Sequence, residues 1–273
     1  RLELRSQTAQ LELPALFPEP RVRLDELGGQ VDWERHGSAL ALRLVSLAFA
    51  NADLAGSAHG SYSRAGDLGW VDLTAQLSRA DGARTARYLP HGSLMGEKTR
   101  AWLASSILAG QASDVRLRLR GNLRDFPFRD PASGQFLVTA RVAGGVLEYG
   151  EAWPRIEDID ADLRFEADRM EIAGRGGRIF GAKLSGVRVA IPNMVRDGTR
   201  LTVAGNAEGP TAEFLRFLSA SPVGRKTGAF TGAMRAAGRA RLKLALDLPL
   251  SRLEDAKVAG ELQLAANDVT VHE

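Results

Sequence analysis

The sequence predicts a mainly β protein: a long, strongly curved antiparallel sheet whose apolar side forms an open hydrophobic groove, accompanied by one or two short helices. Three observations predict it. Apolar and polar residues alternate with period two over much of the chain, giving each strand one dry and one wet face, the antiparallel signature. Helical spacing is confined to two short stretches. Glycine recurs on the apolar parity, at Gly56, Gly121, Gly205 and Gly260, where a strand either bulges and bends or leaves room for something lying along the sheet.

The elements follow in order within a single section, 1–273. N-terminal strands occupy 1–83. In Ser38 to Ala50 the parity changes between Leu40, Leu42, Leu44 and Val45, Leu47, Phe49, and a bulge near Leu44 restores a single apolar face. Val71 to Ser78 alternates cleanly. A helical insertion spans 84–110, with a helix over Glu97 to Ala109 that carries Trp102, Leu103 and Ile107 and stops at Gly110. Trp102 is expected to pack in a core, with the helix bracing or capping the sheet. Central strands fill 111–210, with alternation in Ala112 to Phe128, Gln135 to Val142, Asp160 to Ala167 and Arg200 to Gly205. Pro127 cannot donate a ladder hydrogen bond, so DFPF should end its strand and turn the aromatics toward the next segment. A short helix at 211–222 carries Phe214, Leu215 and Leu218, with Pro222 beyond it. C-terminal strands fill 223–273, including Arg241 to Leu250 and Lys257 to Leu264. Gly28-Gly29, Gly144-Gly145, Gly176-Gly177 and Asp197-Gly198 are hairpin or loop positions by turn chemistry.

Composition bounds the function. With 44% hydrophobic and 25% charged residues the chain is an ordinary globular polypeptide, and 36 Lys and Arg against 33 Asp and Glu give a net charge of only +3, which argues against nucleic acid. Cysteine is absent, so thiol chemistry, disulfides and zinc ribbons are excluded. No run of 18 apolar residues exists to span a bilayer. Both ends break off in strand-like pattern, so the chain reads as a segment of something longer.

The sequence carries no recognisable catalytic motif. His36, His59, His91 and His272 are scattered without metal-ligand spacing, and neither metal nor cofactor is expected. Ser57 and Ser93 lack the nucleophile-elbow pattern. GRGGRIFG continues into a strand-like alternation instead of opening a helix, and VGRKTG lacks the order of a phosphate loop. Glu157 and Asp158 fall before a strand, with no facing carboxylate indicated. Arg116, Arg118 and Arg120 read as a solvated outer face whose mutual repulsion discourages edge aggregation.

A resemblance adds to this reading. Tyr88-Leu89-Pro90, the helix with Trp102-Leu103 ending at Gly110, the strand into Asp125-Phe126-Pro127-Phe128, and Tyr149 followed by Trp153-Pro154 resemble the YhdP family of AsmA-like proteins, most strongly from Arg87 to Phe165 and more loosely through FLRFLSASPVG. The resemblance implies a central section of a large Gram-negative envelope protein. It implies an inner-membrane anchor outside this segment, a periplasmic body of repeating β-groove modules, and carriage of phospholipid between inner and outer membranes. Its partners would be phospholipid acyl chains, not nucleic acid, and it would not be an enzyme. On that reading the groove is lined by Leu40, Leu42, Leu73 and Leu77, by Val115, Leu117, Leu119 and Leu123, and by Phe136, Val138, Leu163 and Phe165. Leu201, Val203, Leu242, Leu244, Leu246, Leu262 and Leu264 complete it. A sixteen-carbon chain drawn through water costs about 0.8 kcal/mol per methylene, or roughly 13 kcal/mol, and a continuous oily trough removes most of that barrier. The alternative is a scaffolding β-protein of the envelope without lipid cargo, whose apolar faces should be closed against each other. A polysaccharide-acting enzyme would need facing carboxylates and aromatic platforms, for which 6% aromatic content leaves little material.

Overall fold

A computed structural model describes residues 1–14, 17, 19–65, 68–90, 95–194, 198–222 and 234–271. The strands are β1 (Leu2–Ser6), β2 (Ala9–Glu12), β3 (Arg21–Leu24), β4 (Glu26–His36), β5 (Ala39–Ala50), β6 (Leu54–Arg64), β7 (Trp70–Asp81) and β8 (Ile107–Asn122). They continue as β9 (Gly134–Leu147), β10 (Ile156–Glu166), β11 (Arg169–Ile179), β12 (Ala182–Ile191), β13 (Arg200–Pro210), β14 (Met234–Pro249) and β15 (Lys257–Val271). Two α-helices interrupt them, α1 (Glu97–Ser106) and α2 (Thr211–Ser219). β1 and β4 to β15 form one 13-stranded sheet in chain order, with β1 and β15 at its unjoined ends, while β2 and β3 pair separately. Every pairing with a defined register is antiparallel, as the alternation requires.

The chain divides into two compact units: Arg1–Ala104 with Gln111–Arg141 and Leu163–Arg169, and Ser105–Gly110 with Val142–Asp162 and Met170–Glu273. In the first, the expected bulge in β5 is present. The register of β5 on β6 shifts between Leu44 and Leu47, so Val45 and Ser46 are passed over and exposed while Leu40, Leu42, Leu44, Leu47 and Phe49 share one half-buried face. β8 ends at Asn122, a 3-10 turn follows at Leu123–Asp125, and Phe128 is buried to 2% exposure. Phe126 meets Phe136 of β9 with ring centroids 5.1 Å apart, so DFPF does turn its aromatics onto the next strand.

Several expectations are corrected. Gly28-Gly29, Gly144-Gly145 and Gly176-Gly177 lie inside β4, β9 and β11, not in hairpins. At Gly29 and Gly145 glycine serves close approach: a Cβ on Gly29 would overlap the Ser46 carbonyl of the neighbouring strand, and one on Gly145 would stand 3.0 Å from Ile159 Cβ. Asp197 lies outside the described residues. α1 ends at Ser106, and Gly110 is no helix stop but a β8 residue on which a Cβ would stand 3.0 Å from the Gly145 Cα. Trp102 is not core: it is 44% exposed, and α1 is exposed along most of its length.

Candidate functional site

In the first unit the register stacks the apolar parity into rows that run across the strands. Leu27, Phe49, Gly56, Leu77 and Val115 form one row, and Gly29, Leu47, Ala58, Ala75 and Leu117 the next. Val31, Leu44, Gly60, Leu73 and Leu119 form a third, followed by Trp33, Leu42, Tyr62, Val71 and Gly121. Side chains directly opposite each other share a face, so these rows make one apolar surface. In the second unit Ile172, Val189, Val203, Leu246 and Val258 form one row, Gly205, Leu244 and Gly260 another, and Leu184, Ala207, Leu242 and Leu262 a third.

This surface is sheltered without being closed. Leu40, Leu42, Leu73, Leu77, Val115, Leu117, Leu119, Phe136, Val138, Leu163, Phe165, Leu201, Val203, Leu242, Leu244 and Leu246 are all half-buried. Leu262 and Leu264, on the end strand β15, are 51% and 52% exposed. Leu123 stands beyond the strand, half-buried in the 3-10 turn. Fully buried hydrophobics among the described residues are Leu24, Leu27, Leu54, Val71, Phe128, Ala161, Ala182 and Ala240, a short set with three alanines in it. In a sandwich core the inner-face leucines and valines would be buried as a set, whereas here only Leu27 and Val71 of the described rows are buried and the other leucines and valines are half-buried or exposed.

The glycines of this face divide between the two readings the sequence left open. A Cβ on Gly56 would overlap the Gln76 carbonyl, one on Gly121 would sit 2.6 Å from Phe128 Cε1, and one on Gly205 would sit 3.1 Å from Val187 Cα. At these three positions glycine admits a neighbouring backbone or ring. At Gly260 the nearest atom is the Lys243 carbonyl at 3.4 Å, an ordinary contact, so a side chain would fit there.

The opposite face is ion-paired, and the arginine row does not simply repel itself. Arg118 donates to Asp72 at 2.5 Å and Arg120 lies 3.8 Å from the same carboxylate, whose pKa is held below its ordinary value mainly by the Arg118 hydrogen bond. Arg175 bridges Asp160, at 2.5 Å, and Asp162; Arg200 pairs with Asp247 at 2.7 Å; Glu208 accepts from Arg239 at 3.3 Å and Arg241 at 3.2 Å. These exposed pairs contribute little stability each, and they leave this face hydrated and polar. A hollow of about 1000 Å³ in the first unit belongs largely to this parity. Gly28, Ala48, Ser57, Gln76 and Arg116 line it together with the whole row of Leu27, Phe49, Gly56, Leu77 and Val115, so it is mixed in polarity and includes one apolar row.

Sequence reasoning missed the groups that fix the strand ends. In the first unit the Tyr88 hydroxyl donates to Asp53 at 2.9 Å and accepts from Asn51 at 3.0 Å, and Arg87 pairs with Asp53 at 2.9 Å and Glu19 at 3.2 Å. Burial raises the Tyr88 pKa. In the second, α2 packs on β13 and β14, Arg216 stacks 3.9 Å over the Phe180 ring, and Phe217 meets Trp153 at 6.0 Å. Trp153 in turn meets Tyr149 at 5.8 Å, and burial pushes the Tyr149 hydroxyl up to about 12. The only sequence signal was the clustering of Tyr88, Tyr149 and Trp153 in the motifs themselves.

No group of three or more His, Asp or Glu side chains among the described residues could hold a metal. Glu157 and Asp158 lie in β10, not in a loop before it, and Asp158 is paired with Arg178 at 2.8 Å. Ser57 is an exposed β6 residue, and GRGGRIFG spans β11 and the turn after it. His91, Ser93, His272 and VGRKTG lie outside the described residues. No helix of the described residues is long and apolar enough to cross a membrane.

A family model described as YhdP protein matches residues 1–273. The chain is 27% identical over 207 residues to the intermembrane phospholipid transporter YhdP of Escherichia coli (strain K12). The alignment covers 76% of this chain and spans 15% of that relative's length. No solved structure matches the chain.

Proposed function

Since the chain belongs to the YhdP family, we propose that it is a non-enzymatic conduit segment that shields phospholipid acyl chains on an apolar β-groove as they move between the inner and outer membranes of a Gram-negative envelope. Its place is the periplasm, in a protein held to the inner membrane by a segment outside these residues. The relative described as an intermembrane phospholipid transporter supports the cargo class.

The observation that carries the reading is the row of half-buried leucines and valines, continued in register from strand to strand within each unit, in a sheet whose end strands β1 and β15 are not joined. Such a surface removes methylenes from water at about 25 cal/mol per Å² of apolar area covered. Many equal, weak contacts let a chain slide, whereas one tight site would hold it. A scaffold has no use for an uncovered apolar face, which is an aggregation hazard unless something occupies it.

The test uses the full-length protein. Leu242→Asp combined with Leu244→Asp puts two carboxylates on the apolar rows of β14, and Lys243→Asp puts one on the opposite face of the same strand. Phospholipid transfer between membrane fractions should fall severalfold in the first variant and hold in the second. Equal transfer by all three proteins would sink the conduit reading.

A further inference from the structure

The apolar face of the first unit changes polarity in a fixed order toward one end of its strands. Its middle rows are aliphatic, with Leu47 and Leu117, then Leu44, Leu73 and Leu119. The next row brings Trp33 and Tyr62 level with Leu42, and the outermost sets Arg35 and Arg64 on either side of Leu40. Successive rows lie about 7 Å apart, two residues of strand. Trp33 is 48% exposed, and Arg35 and Arg64 are exposed with no ion pair to any described residue. Among the described residues Arg35 donates to the Gly37 carbonyl, at 3.2 Å.

The other end of the same strands is opposite in character. Leu24, Leu27 and Leu54 are buried there, and Asp25, Glu26, Asp53 and Asp81 bring carboxylates together. Two of its cations are engaged, Arg87 by Asp53 and Glu19, and Arg79 by the carbonyls of Ala52, at 2.7 Å, and Asn51.

Aliphatic, then amphipathic aromatic, then cationic is the order in which a phospholipid presents acyl chain, glycerol ester and phosphate. We infer that the end of the first unit carrying Trp33, Tyr62, Arg35 and Arg64 is a headgroup subsite for a phosphate-bearing glycerolipid, with the acyl chains directed toward the Leu44 and Leu47 rows. The inference rests on the conduit reading and adds a polarity to it. The indole of Trp33 lies at the ester level and the two guanidinium groups hold the phosphate oxygens.

Two photoactivatable phosphatidylglycerol analogues test it on the full-length protein in membranes, one bearing a diazirine beside the headgroup and the other at the acyl terminus. Labelled peptides are mapped by mass spectrometry. The headgroup probe should label Trp33 to Leu42 and Tyr62 to Arg64, and the tail probe the rows of Leu47 and Phe49. Arg35→Glu with Arg64→Glu should lower headgroup labelling about tenfold, the loss expected when charge-assisted hydrogen bonds are removed. Arg35→Lys with Arg64→Lys should keep most of it, and circular dichroism should be unchanged in both variants. Tail labelling on the rows with headgroup labelling at Asp25 or Asp53 overturns the subsite and leaves the conduit standing. Suppression of headgroup labelling by millimolar inorganic phosphate also overturns it, as a site for free anion. Absence of labelling by either probe overturns the conduit itself.

Discussion

Gly60→Ala separates the two meanings that glycine can have on this face. Gly60 adopts φ +151°, a conformation in which an L side chain points into the adjacent strand, so the new methyl would overlap the Asp72 carbonyl and stand 2.8 Å from the Leu73 Cα. Restoring an ordinary contact of 3.4 Å requires the β7 backbone to move, at a position where Gly60 faces Leu73 in register. The strained conformation costs on the order of 1–3 kcal/mol, of which the lower entropy of the unfolded alanine chain offsets about 0.4–1 kcal/mol. Displacing the β7 backbone adds the cost of overpacking, about 1–3 kcal/mol and partly relieved by relaxation, so a net loss of about 2 kcal/mol is expected. For a unit of this size that is a fall in Tm of about 4–8 °C by scanning calorimetry. Ala58→Leu, two residues earlier on the same face, extends into uncovered space and should shift Tm by less than about 2 °C. An unchanged Tm for Gly60→Ala, or an equal fall for Ala58→Leu, would refute the close-approach account of these glycines.

Phe128→Ala should cost about 3–5 kcal/mol in urea unfolding, because the ring is 2% exposed and lies against Gly121 and Gly134. The acid limb of stability should belong to the polar face. Asp72, Glu208 and Asp247 have folded pKa values lowered by their arginine partners, so their contribution is present above the ordinary carboxylate range and is lost as pH falls through the depressed values. Tm should therefore be level from about pH 5 upward and fall below about pH 4, with a shallower fall in Asp72→Asn. At the alkaline end the raised Tyr149 value means stability declines as pH rises from the ordinary tyrosine pKa of 10.0 through about 12. Ultraviolet titration should show one of the three tyrosines ionising last, and Tyr149→Phe should remove that step.

The alternation fixed which side chains share a face because strand parity is local: Val71, Leu73, Ala75 and Leu77 could be grouped without knowing their partners. The bulge at Leu44 was legible for the same reason, since a parity break inside an apolar run has one inexpensive remedy. Non-local contacts were not legible. Gly29 and Gly145 look like turn residues until another strand approaches them, and Gly110 looks like a helix stop until Gly145 stands against it. The Arg118 row reads as repulsive until Asp72, 46 residues earlier in the chain, is placed beside it. Likewise, nothing near Asp53 announces that Tyr88 and Arg87 will fasten to it.

The most direct test of the conduit is a crosslinking scan along β14 of the full-length protein in living cells, with a photoreactive amino acid placed in turn at each position from Arg241 to Asp247, and with Leu119 and Arg118 repeating the comparison on β8. Each adduct is tested for phospholipid. Labelling at Leu242, Leu244, Leu246 and Leu119, with little at Arg241, Lys243, Ala245 and Arg118, is the predicted period-two pattern. Labelling confined to the Arg118 and Lys243 face, or equal on both faces, would contradict it.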